Sequence, residues 1–331
     1  MKRRTFISLA ATGAAAMALP GLALAKTDKI KVGYLHTLAV DGQMWLAESQ
    51  GLWKQQNLEP EFVQFQTGLE LFQAMSGGSI DVLSTGAVMS NFPARGQGKV
   101  FLINDIEFAT AQLWVHPDMG VKTWADLKGK KISTTAGTTA HVFLDTALKA
   151  HGIDPKKDIQ IVNQRMPDAV TAFISKAVPA VALWVPFNIP VKNKSPGAKM
   201  LGDASAYYPK AAIVDGWAAR NDFYDKRKDV LERIIRAWVG ANDYFVGNPD
   251  KALAELQSKR YPNVPLPDLK EQFHAQKMFT SKEWAKRYAD GTVTKWLQQV
   301  TDFFVDFAHI SNSVPASKYF DPSIYLKVVK A

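Results

Sequence analysis

Trp124-Ala-Asp-Leu-Lys-Gly-Lys-Lys-Ile132 leads into Ser133-Thr-Thr-Ala-Gly-Thr-Thr-Ala-His141 and then into Val142-Phe-Leu-Asp-Thr-Ala-Leu148. The spacing predicts a short strand over 130–134, a tight turn over 135–137 and an apolar-periodic helix from Thr138 onward. A turn of this kind aims free backbone N–H groups and two hydroxyls at one point. Such a helix start favours negative charge without help from lysine or arginine.

Strand, loop and helix repeat on either side of this stretch. Toward the N-terminus, a strand over 30–34 is followed by a loop over 35–42 and a helix over 43–55, whose helical part Gly51 ends. A second strand over 61–65 precedes a helix over 69–76, closed by Gly77-Gly78. Val82–Leu83 is a short buried strand, and Ser84-Thr85-Gly86 opens another helix. A second series starts near Gln112 and contains strands over 159–162 and 180–184 with a helix over 168–176. From Trp217 the pattern is mainly helical, over 230–245, 249–258, 267–277 and 282–307. The fold expected is α/β with two lobes, each a mostly parallel sheet wrapped by helices, and a helical C-terminal region. Lobe I comprises residues 26–112 and 216–331, and lobe II, 113–215, is inserted in it. Hinge strands near Gln112 and Asp215 join the lobes across a cleft. Ligands of such sheets bind at the carboxyl ends of the strands, which puts the loops at His36–Thr37, Thr67–Gly68 and Ser84–Gly86 on one rim.

The 331 residues include no cysteine, which removes thiol nucleophiles, thiolate-ligated zinc and iron–sulfur sites together. The chain is 47% hydrophobic, enough for a sizeable core, with a formal charge of +9. Setting aside Lys2, Arg3 and Arg4 leaves 37 basic against 31 acidic residues, scattered along the chain. Nucleic-acid binding calls for a concentrated basic stripe and is not expected. Residues 1–25 read as an export leader, with a basic start, an apolar middle and Ala23-Leu24-Ala25 as the cleavage signal. Arg3-Arg4-Thr5-Phe6-Ile7 resembles the twin-arginine signal. The mature chain is therefore expected in a periplasm.

Four segments resemble the periplasmic substrate-binding proteins of ABC importers, in the nitrate/sulfonate/taurine branch. They are Leu46–Trp53, Leu71–Gly86, Asp126–Ile132 and Trp184–Phe187. The resemblance covers nearly all of the mature chain. It implies the two-lobe, hinge-closing type II fold, no cofactor, no enzymatic activity, a monomer, and delivery of a small organic anion to an inner-membrane permease. The anion would be sulfonate-like or a related carboxylate. A neutral vitamin precursor of pyrimidine or flavin type, stacked between tryptophans, is the alternative on the same scaffold. Pyrimidine synthases of thiamine biosynthesis share the fold, but they carry a cysteine-rich segment that this chain lacks. Pro179 and Val185 stand where the family commonly has aspartates. If one of those meets a ligand amine, their loss points away from zwitterions such as taurine.

The expected ligand contacts follow from these placements. Gly137, Thr138 and Thr139 sit at the decisive helix start, although Thr there also serves as a cap. His141 lies one turn on and could donate to an anion. His36 follows the first strand, Gly68 starts the second helix, and Ser84 and Thr85 offer hydroxyls. Trp45, Trp184, Phe187 and Trp217 are candidates for an aromatic wall, with core packing as the competing role of each tryptophan. No motif for a catalytic base, nucleophile, metal or phosphate loop accompanies them.

Overall fold

The computed structural model describes residues 27–330, so the leader lies outside the described residues. Among the described residues, ten strands form two five-stranded sheets. The first contains β1 (Asp28–Leu35), β2 (Leu58–Phe65), β3 (Val82–Thr85), β4 (Lys99–Ile106) and β10 (Val214–Ala219) in the order β2-β1-β3-β10-β4. The second contains β5 (Ala111–Val115), β6 (Lys131–Thr134), β7 (Gln160–Asn163), β8 (Ala180–Trp184) and β9 (Lys199–Asp203) in the order β7-β6-β8-β5-β9. Within each sheet the first three strands in that order pair in parallel, which needs helical crossovers and explains the strand–loop–helix rhythm. The sheets are mixed, because the strand that enters each from the other lobe runs antiparallel to both neighbours. Those strands are β5, beside β8 and β9, and β10, beside β3 and β4. β5 and β10 each begin two residues earlier than the expected division at 112/113 and 215/216.

Each sheet has its own apolar core. Val32, Leu83, Leu102, Trp217 and Trp238 belong to the first; Leu113, Ile132, Phe143 and Leu183 belong to the second. The helix Thr292–Ala308 serves both. Val293, Trp296 and Leu297 pack into the first core, while Val300 and Phe304, one to two turns further, pack into the second.

Several expected elements differ. The first helix starts at Leu38, not 43, because Leu38, Ala39 and Val40 are buried and extend its apolar face. Ser84–Gly86 leads into a short 3-10 turn, Ala87–Ser90, and not into a longer helix. The expected helix over 282–307 is two helices, Ser281–Ala289 and Thr292–Ala308. Gly291 lies between them at φ +80°, a left-handed conformation that interrupts the helix and costs glycine little.

Candidate functional site

A cavity between the two sheets encloses about 370 Å³ of space, part of it open to solvent. Three helix starts reach it: Thr37 before the helix Leu38–Ser49, Gly68 at the start of Gly68–Ser76, and Thr138 before Thr139–Ala150. Each follows the carboxyl end of a parallel strand, β1, β2 or β6. At Thr138 the first helical bonds run from His141 N and Val142 N to Thr138 O, so the amides of Thr139 and Ala140 precede the ladder. Thr37 has the same geometry, with Val40 N and Asp41 N donating to its carbonyl. Neither Thr37 nor Thr138 uses its side chain as a cap, whereas Thr67 and Glu70 form a reciprocal capping box beside Gly68. A Cβ on Gly68 would stand 2.6 Å from Thr85 Oγ1, so glycine permits the helix start to close on β3. Thr85 Oγ1 is buried and makes no hydrogen bond.

Two carboxyls also line the cavity. Glu107 follows β4 where the chain leaves the first lobe, and Asp215 is in β10 where it returns. Glu107 accepts hydrogen bonds from Thr139 Oγ1 at 2.6 Å and Thr110 Oγ1 at 2.5 Å. Thr139 Oγ1 also accepts from Ala87 N at 3.1 Å, so this one hydroxyl ties the second lobe to the first. Asp215 Oδ1 is buried without a partner. Burial, with repulsion from Glu107 and Asp105, pushes the Asp215 carboxyl well above the usual carboxylate range. The replacement of the family's two aspartates by Pro179 and Val185 thus does not leave the cavity without carboxyls. The acids come from the crossover segments and not from the positions of Pro179 and Val185.

Of the expected contacts, Gly68, Thr85, Thr138, Thr139 and Trp184 line this cavity together. The other seven are not among its lining residues. His36 Nδ1 pairs with Asp41 at 2.7 Å, and its ring stacks on Tyr261 at 4.3 Å. Trp45 donates to the same carboxylate at 2.8 Å and carries Arg260 over its face. Both therefore serve a buried network centred on Asp41, which Tyr261 also joins. Ser84 donates to Val40 O and accepts from Asn104, a structural position below the cavity floor. Trp217 and Trp238 both donate to Asn104 Oδ1, which fixes Trp217 in the first core. Gly137, at φ +75°, forms the turn and donates to His141 Nδ1 at 3.0 Å. That bond makes Nδ1 an acceptor, and burial against Phe303 and Phe307 pushes the His141 pKa down to about 4. His141 is therefore neutral near pH 7 and its Nδ1 holds the turn, outside the lining of this cavity. Phe187 stands edge-on to Trp184 at 5.6 Å, behind the wall it was expected to form.

Sequence reasoning placed Thr37 and Gly86 in rim loops without naming them as contacts, and missed Leu35, Val40, Val88, Glu107 and Asp215. The acids did leave a trace, since Ile103-Asn104-Asp105-Ile106-Glu107 and Ile213-Val214-Asp215-Gly216-Trp217 put charges inside otherwise buried strands.

Two mixed sheets joined by paired crossovers, with helix starts facing a cavity between them, define the periplasmic binding protein fold. The alkanesulfonate-binding protein SsuA of Xanthomonas axonopodis pv. citri, bound to MOPS, superposes with a TM-score of 0.73 at 18% identity, over 90% of this chain and 99% of that one. The chain belongs to the NMT1/THI5-like family, whose profile matches residues 42–252. A Brucella abortus protein named only as a binding protein is 30% identical over 97% of this chain and 98% of its own length. The taurine-binding periplasmic protein of Escherichia coli is 25% identical over 62% of this chain and 63% of its own.

Proposed function

We propose that the protein is the periplasmic solute-binding component of an ABC importer. It captures a small organic ligand between its lobes and delivers it to an inner-membrane permease. The ligand's sulfonate-like or carboxylate head meets the helix starts at Thr37, Gly68 and Thr138, where N–H groups and dipoles favour negative charge. Its other end carries an amino group or similar donor that meets Asp215 and Glu107, and Trp184 covers the body between them. The observation that carries this reading is the presence of two unpartnered buried oxygens, Thr85 Oγ1 and Asp215 Oδ1, in one cavity with those helix starts. Orphaned polar atoms of this kind cost about 1–3 kcal/mol each until something binds them. The named ligands of the relatives, taurine and alkanesulfonates, support the head group.

A neutral aminopyrimidine is the second reading, because Trp184 offers a stacking face beside two acceptors for ring amino groups. Titration calorimetry with aminosulfonates, plain sulfonates, carboxylates and pyrimidines tests both. Binding of sulfonates or carboxylates that weakens with salt supports the first reading, and salt-insensitive binding of pyrimidines supports the second. Failure of every compound to bind below ~1 mM, an interaction weaker than about 4 kcal/mol, overturns the proposal.

A further inference from the structure

We propose that Asp105, which does not line the ligand cavity, fixes the charge state of Asp215 inside it: the two carboxyls hold one proton between them, and a cationic ligand end expels it. This rests on the cleft being the ligand site, as proposed above.

The geometry is that of a cross-strand pair. Asp105 on β4 is directly opposite Asp215 on β10 in the antiparallel register. Opposed like charges in a sheet repel, and here water does not screen them, because Asp105 and Asp215 are 0% and 2% exposed. Both oxygens of Asp105 and Oδ1 of Asp215 lack any hydrogen-bond donor. Two buried carboxylates without donors are untenable, whereas one carboxyl and one carboxylate are not. Burial and the neighbouring acids push both groups well above the usual range.

The surroundings supply no compensating cation. Among the described residues, the charge bearing on Asp105 is that of Glu107, and those on Asp215 are Glu107 and Asp105. Glu107 accepts from Thr139 and Thr110 and also lies within hydrogen-bond reach of Asp215, so it adds to the pressure that keeps Asp215 protonated. From the flanking helices come Gln43, whose amide donates to Asn104 O, and Trp238, which donates to Asn104 Oδ1. Tyr288 accepts from Ile103 N, and Tyr325 donates to Ser281 O. Lys277 pairs its backbone with Ile106 but directs its ammonium at the rings of Phe108, Tyr208 and Phe279. His141 is held by Gly137 N.

An ammonium group arriving at Asp215 replaces the shared proton as the compensating charge. The O–H bond breaks, its electron pair stays on the carboxylate, and the proton passes to solvent. Asp105 acts through Asp215 and is a positioning residue.

Calorimetry of taurine binding, repeated in buffers of different ionisation enthalpy between pH 6 and 8, counts the protons released. The native protein should release close to one proton per taurine at the acid end, with Kd falling about tenfold per pH unit there. Ethanesulfonate, which has the head group and no amine, should bind without release. Asp105→Asn should bind taurine with almost no release and a flat pH profile, because its amide offers Asp215 a donor in place of the shared proton. Taurine binding with no proton release by the native protein, or release that persists in Asp105→Asn, overturns the inference and leaves the ligand site standing. Should taurine not bind, thermal unfolding of the ligand-free protein still decides it. A carboxyl raised in the fold makes stability fall as pH rises past the ordinary carboxylate range. Asp105→Asn should therefore melt higher than the native protein at pH 8, with the gap closing toward pH 4. A gap of constant size refutes the shared proton.

Discussion

Gly86→Ala isolates closure of the cleft from folding. A Cβ on Gly86 would lie 2.6 Å from Thr139 Oγ1, 2.7 Å from Glu107 Oε1 and 2.9 Å from Asp215 Oδ1, all too close for a carbon. Its φ is −83°, outside the left-handed region. The methyl group therefore acts where the lobes meet, displacing Thr139 from Glu107 and from Ala87 N. A hydrogen bond to a carboxylate contributes about 1.5–3 kcal/mol and a neutral one about 0.5–1.5 kcal/mol, so losing both costs the closed form about 2–4 kcal/mol. Lobes that swing apart avoid the clash, and the substitution should weaken ligand binding roughly 30- to 700-fold. The unliganded protein should lose little, because each core is untouched. Calorimetry with the tightest-binding sulfonate reads the affinity, and small-angle scattering reads the change in radius on adding ligand, which the variant should lack. Native affinity in Gly86→Ala would refute the reasoning. So would a fall in unfolding free energy equal to the loss in binding, since the methyl would then be disrupting one lobe and not the contact between two.

Four further substitutions separate cleft from scaffold. Trp184→Ala should weaken binding about 10- to 100-fold by removing the cavity's aromatic wall, whereas Trp217→Ala, fully inside the first core, should cost about 3–5 kcal/mol of unfolding free energy and leave Kd of the folded protein within a few-fold; denaturant melts and calorimetry on both variants check the contrast. His36→Gln should bind ligand as the native protein does, because the ring is engaged by Asp41 and Tyr261; a tenfold loss of affinity by calorimetry contradicts this. His141 has its pKa pushed from the usual 6.5 to about 4, so the unfolded chain takes up its proton first as pH falls. Stability is then full above about pH 6.5 and declines as pH falls, by about 2 kcal/mol at pH 5, until the folded group also titrates near 4. Denaturant unfolding at pH 5 and 7 should show this decline in the native protein and not in His141→Gln, which keeps an acceptor for Gly137 N.

The parallel strands were legible because their crossover helices impose a rhythm: β1, β2, β3, β6, β7 and β8 each overlap a strand read from the sequence. The strands β4, β5, β9 and β10 were not delimited, for two physical reasons. β4, β5 and β10 are buried on both faces and show no alternation. They also pair antiparallel to neighbours far along the chain, as β10 does with β3 across more than a hundred residues, and nothing local encodes that partner. The break at Gly291 was legible in principle, but the apolar spacing on either side continues in phase and hid it.

The site divides along the same line. What a helix start contributes is local: Gly137-Thr138-Thr139 and Thr67-Gly68 declare themselves by composition, and Thr138, Thr139 and Gly68 do reach the cavity. What a carboxylate contributes depends on its surroundings. Asp41 and Asp215 are both isolated acids in apolar company, yet Asp41 receives bonds from His36, Trp45 and Tyr261, while Asp215 faces Glu107, Asp105 and the cleft. Tyr261 arrives from 220 residues away and Asp105 from 110, so the sequence near either acid cannot separate a structural anchor from a binding group. The separation is made by counting donors. Asp41 is satisfied within the protein, Asp215 is not, and the unsatisfied acid belongs to a cavity that also holds helix starts built to take negative charge. A ligand that meets both the helix starts and the unsatisfied acid must carry groups of opposite polarity, which sets its orientation before any single contact is made.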